Sequence, residues 1–593
     1  MRRVVVTGIG AVTPLGNNAP STWRSLMAGR SGVREIATFD ASTFPVRIAG
    51  QVEGFSVAEA VPDRRDRRHL SRSAGYGVAA ALEALRQAGD LDGTDPWRRG
   101  VSVGGTVGRV ELQELADMSW LLESTKHSQI FRQSPNEVLA RDQNVGPAVI
   151  ARLGDCRGPY VSVSTACAGA GHAIGEAYRL VQEGDADMMV AGGTDALTTW
   201  MDVLGFCLLG ALTADDADAP ERASKPFDAR RSGFVLGEGA VMAVLEERDH
   251  ALARGAAALG ELVGYGSSLN AYRITDSPPD GGGCIIAMRE ALAESGLRPT
   301  DIDYVVSHGT GTPGNDSSET VAIKEVFGAH AYDLAISSPK SMAGHLTSAA
   351  AGLNLLAALG AIADQVVPPT INLTHPDPRL DLDYVPGVAR RQPVRAAMVN
   401  AFAFGGTNAC LVVRTPEPAG PAGLGAAVAE EPLPAPTAAA PPPPAPAVSV
   451  EQLLRAAERG GLDRLLDLAP GQAGTAVRNV PATWPLLATH FPRKPVMPGV
   501  LILDDLATLA GLVADAATTG PDRGDWSLTG ARRVRWRHFV QPGDCVELTV
   551  VRLGGAEGDP AFSGTVRVDG RTVATVAELR VRWTRWAPAG VVR

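Results

Sequence analysis

Between Thr415 and Ala447 the chain reads TPEPAGPAGLGAAVAEEPLPAPTAAAPPPPAPA, a run of Pro, Ala and Gly with few other residues. No core can be built from it. Its prolines lack N–H donors, and its small side chains bury too little apolar surface to offset the cost of ordering. Such a stretch reads as an extended, semi-rigid tether. It cuts the 593 residues into two separate folding problems, 1–414 and 448–593. Each is long enough to bury its own core. With 45% hydrophobic and 20% charged residues, the composition is that of ordinary globular protein.

In residues 1–414, buried strand patterns alternate with helical ones. RRVVVTGIGAV, GPYVSVSTAC and ADMMVAGGTDA read as apolar strands, and SAGYGVAAALEALRQAG reads as a helix closed by Gly89. The same rhythm returns after residue 230 in GAVMAVLEE, GCIIAMREALAESG, IDYVVSHGTGTP and ACLVVR. The expectation is an α/β fold with fully buried strands and a duplicated core, although no literal repeat is visible.

Residues 448–593 read differently. A helical pattern, VEQLLRAAERGGLDRLLDL, is followed by a long apolar helix, GVLILDDLATLAGLVADAA. Four alternating segments then come in succession: WSLTGARRVRWRHFV, DCVELTVVRL, AFSGTVRVDG and TVATVAELRVRWTRW. One buried helix against an antiparallel sheet is the simplest packing.

Some functions are disfavoured. A net charge of −10 makes the whole chain a poor nucleic-acid binder. The six cysteines (156, 167, 207, 284, 410 and 545) form no CxxC pair and have no histidines at zinc spacing. No metal is therefore expected, and the thiols read as those of a reduced, cytoplasmic enzyme. The chain opens directly on an apolar strand, and no apolar run of about 18 residues stands out, which predicts neither a secretory leader nor a membrane span.

Three residues invite chemistry. Cys167 lies where the strand YVSVS gives way to the helix AGAGHAIGEAYRLV, among Ala166, Ala168, Gly169 and Ala170. A thiolate there would face free helical N–H groups, which lower a thiol pKa, and the small neighbours would leave room for a substrate. A tightly packed, inert cysteine accounts for the same residues equally well. His308 and His345 both sit at strand-to-loop transitions, in VVSHGTGTP and SPKSMAGHL, the usual place for site residues in α/β folds. DRRDRRHLSR, residues 63–72, reads either as a solvated helix face or as a basic docking patch.

Taken together, VSVSTACAGA, DADMMVAGGTDA, SGFVLGEGA, SHGTGTPGND, SPKSMAGHL, VPPTINL and NAFAFGGTN resemble, in order, a type II β-ketoacyl-acyl-carrier-protein synthase with the thiolase fold. The resemblance implies a duplicated five-layer αβαβα core and a homodimer or a heterodimer with a ketosynthase-like chain. It implies decarboxylative Claisen condensation of malonyl-carrier protein with an acyl group held on Cys167. His308 and His345 would promote decarboxylation and stabilise the enolate, Lys340 would orient them, and Glu319 would be its acidic partner. The amides of Cys167 and Phe404 would form the oxyanion hole, and Phe404 would also gate the site. Thr310 and Thr312 would touch pantetheine, and Val107 would line the acyl pocket. Arg64, Arg65, Arg67 and Arg68 would meet the acidic acyl carrier protein. No cofactor is expected on the chain itself, because the substrates ride on the carrier's phosphopantetheine.

THFPRKPVMPGVLILDDLATLAG, residues 489–511, resembles the signature of hot-dog-fold β-hydroxyacyl-carrier-protein dehydratases. His490 would be the base, Asp504 the acid, and the Gly499 amide would polarise the thioester. Thr489, Arg493, Lys494 and Thr508 depart from that family's pattern. The alternative is a hot-dog domain that only dimerises or docks carrier protein. The joint expectation is a fatty-acid-like or polyene/polyketide synthase whose product passes through a separate ketoreductase before dehydration.

Overall fold

The computed structural model describes residues 1–106, 142–417, 423, 462–480, 497–517, 524–541, 544–556, 558–568 and 570–585. Val107, His490 and residues 450–461 lie outside them. The chain divides into two compact units, and each is taken by itself.

Among the described residues the main sheet of the first unit has ten strands: β1 Val4–Val12, β2 Arg99–Gly105, β3 Tyr160–Val163, β4 Met188–Asp195, β5 Gly239–Glu247, β6 Gly260–Leu269, β7 Tyr304–Val306, β8 Ala335–Ser337, β9 Ala396–Phe402 and β10 Thr407–Arg414. Their spatial order is β8-β7-β9-β10-β6-β1-β5-β4-β2-β3. Split between β6 and β1, this is the same arrangement twice. In each half the first strand pairs antiparallel with the fifth, the fifth antiparallel with the fourth, the fourth parallel with the second, and the second parallel with the third. The halves join edge to edge through Val4–Val6 on Gly260–Leu262. The duplication suspected from sequence rhythm is therefore a duplication of topology.

Helices complete the layers. α1 (Arg72–Ala88) covers one half from outside and α3 (Gly282–Ser295) covers the other. Between the halves lie α2 (Gly169–Glu183) and α5 (Ala350–Asp364), with α4 (Pro313–Phe327) farther out. α5 is buried from Ala350 to Ile362, as a helix apolar on every side must be. Thr347–Asp364 is in fact an 18-residue run long and apolar enough to cross a membrane, contrary to the sequence reading, but 89% of it is buried in this protein's own core.

Among the described residues the second unit is a six-stranded antiparallel sheet wrapped on one helix. Its strands are β11 Arg464–Ala469, β12 Ala473–Asn479, β13 Gly524–Trp536, β14 Cys545–Ala556, β15 Asp559–Val568 and β16 Arg571–Arg585, in the order β11-β12-β14-β15-β16-β13. Leu506, Leu509 and Val513 of α6 (Gly499–Asp515) pack against Leu548, Val550, Phe562 and Leu579 of the sheet. One expectation fails. RLLDL, read as the end of a helix, is strand β11, because Arg464–Ala469 pairs with β12 and so gains ladder hydrogen bonds and an apolar face. An apolar doublet in so short a run fits either period, and tertiary pairing decides.

Candidate active site

Cys167 and His345 occupy related places in the two halves. After β3 the chain makes a 3-10 turn, Ala166–Ala168, and enters α2. After β8 a loop carrying His345 leads to a matching turn, Thr347–Ala349, and into α5. Each turn starts on a non-glycine residue in the left-handed region, Ala166 at φ 46° and Thr347 at φ 47°. Such strain persists only where the surroundings hold it. Cys167 and Ser348 are thus counterparts, each the second residue of its turn.

The small residues around Cys167 are there for packing as well as access. A Cβ on Gly104 would lie 2.2 Å from the Gly169 carbonyl carbon, and one on Gly175 would lie 2.3 Å from the Tyr265 ring. The helix that follows Cys167 is wedged between the halves with no spare volume. The packing is tight, yet Cys167 lines a cavity of about 320 Å³. His308, His345, Thr310, Thr312, Phe402, Phe404 and Asn270 share its lining.

The two histidines are held in defined tautomers. The Thr347 amide donates to His345 Nδ1 at 3.2 Å. Lys340 Nζ lies 3.5 Å from His308 Nδ1 and donates to the His308 carbonyl at 2.6 Å. With both Nδ1 atoms facing donors, each ring carries its proton on Nε2. The rings lie nearly perpendicular, with centroids 5.4 Å apart. Burial drives both pKa values well below the ordinary histidine range, and the Lys340 charge pushes the same way. Both imidazoles are neutral N–H donors at pH 7.

Glu319 acts on His308 through the backbone. Its carboxylate accepts the His308 and Gly309 amides, each at 2.8 Å, and the Asn400 side-chain amide at 3.0 Å. Lys340 holds the opposite face of the same peptide. Burial lowers the Lys340 pKa, and attraction to Glu319 resists this. Sequence reasoning missed Asp316 and Asn400. Asp316 accepts the Thr310 and Gly311 amides and so shapes the GTGTP loop. An acid in the first turn of α4, directly after a glycine-rich loop, was the available signal.

One expectation is reversed. The helix terminus was expected to lower the Cys167 pKa. Instead burial pushes the thiol up to about 11, with Asp195 adding to the rise, against lowering by Lys340 and by hydrogen bonds from the Phe404 and Cys167 amides. Desolvation outweighs the dipole because the sulfur sits at the floor of a protein-walled cavity. The expected consequence is measurable. Alkylation of Cys167 by chloroacetamide should rise about tenfold per pH unit from 7 to 10, following thiolate fraction. A plateau already reached near pH 7 would contradict a raised pKa.

The remaining predicted residues are less uniform. Arg64, Arg65 and Arg68 are exposed. Arg67 is half-buried, with its guanidinium on the Val61 and Pro62 carbonyls, and Asp66 is buried against Arg152. Of these four arginines the basic run therefore exposes three, and Arg68 among them donates to His69 Nε2 at 2.7 Å. In the second unit, Asp504 is exposed on α6 and the Thr508 hydroxyl donates to its backbone carbonyl. The neighbouring Asp505 is buried in an ion pair with Arg478, and burial lifts its pKa to about 7. Gly499 starts the helix beneath the Trp536 indole, 2.6 Å from where a Cβ would stand.

Known proteins match this arrangement. Residues 1–251 match the β-ketoacyl synthase N-terminal domain, 259–374 its C-terminal domain, and 461–577 the FabA-like domain. The chain is 42% identical over 417 residues to a 3-oxoacyl-[acyl-carrier-protein] synthase 2 of Synechocystis sp., covering 70% of this chain and 98% of that one. A synthase of the same name from Staphylococcus aureus is 39% identical over 421 residues, covering 70% and 98%. Among solved structures, a β-ketoacyl synthase from Burkholderia phymatum superposes with TM-score 0.64 at 34% identity, covering 70% of this chain and 99% of that one. A type II polyketide ketosynthase in complex with its acyl-carrier protein and bound to the hexaketide gives 0.63 at 32%, covering 70% and 100%. The repeated topology, the paired histidines facing Cys167 and these matches agree, and the chain belongs to the β-ketoacyl synthase family, with a FabA-like hot-dog domain as its second unit.

Proposed function

We propose that the first unit condenses malonyl-carrier protein with an acyl primer held on Cys167. The observation that carries this reading is that His308 and His345 line the same cavity as Cys167, with burial holding both imidazoles well below the ordinary histidine pKa. Cys167 first exchanges with an acyl-carrier thioester, releasing the carrier's thiol and keeping the acyl group. Malonyl-carrier protein then loses CO₂, and its C–C bonding pair becomes an enolate. The two Nε2–H donors stabilise the developing oxyanion without giving up their protons. The enolate carbon attacks the Cys167 thioester, whose oxyanion faces the Phe404 and Cys167 amides. The C–S bond breaks, β-ketoacyl-carrier protein leaves, and the thiolate recovers a proton. Thr310 and Thr312, whose hydroxyls lie 2.9 Å apart on the cavity wall, would hydrogen-bond the pantetheine arm.

The carrier protein would dock at Arg64, Arg65 and Arg68, an exposed basic cluster on an acidic chain. Charge reversal of Arg65 and Arg68 is expected to raise KM for acyl-carrier protein about tenfold at low salt and to leave kcat little changed. A KM unaffected by reversal and by ionic strength would move the docking site elsewhere. The exposed edge of β3, where Tyr160 stands 49% accessible, supports pairing with a second ketosynthase chain.

The second unit would dehydrate the β-hydroxyacyl-carrier product after a separate ketoreductase has acted. His490 would take the α-proton, and Asp504 would protonate the departing hydroxyl. The test is enoyl product from β-hydroxyacyl-carrier protein, with His490→Ala as control. Product from the native chain and none from the variant is the expected result. No product from a chain that still condenses would leave a dimerising or docking module.

A further inference from the structure

Asp195 ends β4 outside the cavity lining, yet its carboxyl collects four donors. Oδ1 accepts the Thr106 hydroxyl at 2.5 Å and the Ala196 amide at 3.1 Å. Oδ2 accepts the Thr347 hydroxyl at 2.5 Å and the Ser348 amide at 3.2 Å. The Ser348 hydroxyl in turn donates to the Ala166 carbonyl at 3.0 Å. The two strained residues of the site are therefore tied to one buried group. Thr347, at φ 47°, is held directly, and its amide fixes His345 Nδ1. Ala166, at φ 46°, is held through Ser348, and it immediately precedes Cys167. The duplication explains the geometry. Ser348 stands where the first half has its nucleophile, and its hydroxyl, instead of facing the cavity, spans the seam to the first half's turn.

We propose that Asp195 is a positioning residue which, through Thr347 and Ser348, sets His345 and Cys167 in register with each other across the two halves. This rests on the ketosynthase reading above, because register matters only if one residue carries the acyl group while the other stabilises its attacker. A side chain that stores two strained turns costs folding stability, and a shift of about 1 Å at a reacting group is worth about 10²-fold in rate. The clasp thus converts buried hydrogen bonds into alignment.

The two arms can be cut separately in the full chain. Ser348→Ala frees the Ala166 carbonyl and is expected to slow acyl loading of Cys167 about tenfold, with malonyl decarboxylation within twofold of native. Thr347→Val removes only the hydroxyl on the histidine side and is expected to do the reverse, lowering kcat for decarboxylation with KM unchanged. Thr347→Ser should restore it. Asp195→Asn should impair both half-reactions. A merely structural seam would lower both half-reactions together in every variant, in step with thermal stability, and that outcome overturns the proposal. So would native rates in both single variants. If the native chain neither loads nor decarboxylates, the ketosynthase reading itself fails, which is a different result.

Discussion

Cys167→Ala is expected to cut condensation by at least about 10³-fold while malonyl-carrier protein continues to lose CO₂. The two outcomes separate because the two steps use different atoms. Condensation needs a sulfur to hold the acyl group as an electrophile. In the proposed mechanism decarboxylation needs an oxyanion site, which His308 and His345 would supply whether or not the sulfur is present. The surroundings favour a folded variant: Cys167 is half-buried, and Ala166 and Ala168 show that an alanine-sized residue fits this turn. Acyl transfer from carrier protein to the chain, followed by intact mass, gives the loading readout, and CO₂ release gives the other. Condensation at the native rate would remove Cys167 from the mechanism. Loss of both steps with an intact fold would mean that the thiol also shapes the malonyl site.

His308→Ala and His345→Ala are each expected to lower decarboxylation by about 10²–10³-fold while Cys167 still loads, the usual cost of deleting one donor to a developing oxyanion. The double variant should fall by less than the product of the two, because both donors serve one oxygen. The pH dependence follows from the sign of the shifts. Each histidine's pKa lies below its ordinary value, so the neutral form is already complete near pH 6.5 and is lost only as pH drops through the lowered value. Decarboxylation should therefore show no limb at pH 6.5. A rate that halves there would mean that one ring is in ordinary contact with solvent.

Much of this was legible in the residues. The Pro/Ala-rich run suggested two folding problems and the chain divides into two compact units, the long apolar helix of the second is present as Gly499–Asp515, and the duplicated rhythm is a duplicated strand order. Cys167, His308, His345 and Phe404, named because each sits in a short motif whose order along the chain is distinctive, line one cavity, and Lys340 lies against His308. What the sequence hid is long-range. Asp195, Ser348 and Asn400 act through atoms 46 to 182 positions away, and no local pattern announces such a partner. Asn354, for example, donates to the Ser307 and Asn400 carbonyls just where β7 and β9 part to deliver His308 and the Phe404 loop. The Cys167 pKa was misjudged for a related reason. A helix start is visible in one segment, whereas the desolvation that outweighs it comes from several.

The close contacts of Gly169, Gly175 and Gly193 with the opposing half limit what can change at the seam. A methyl group at any of them meets Ser348 or the Tyr265 ring within 3.0 Å, so substitution there is felt at once by the turn that carries Cys167. Room for substitution lies elsewhere, in segments such as 275–277 and 312–315 of the cavity wall, where side chains face solvent or the cavity rather than the seam. The tightness of the seam thus leaves the rim as the part that can be reshaped without moving the turn before Cys167.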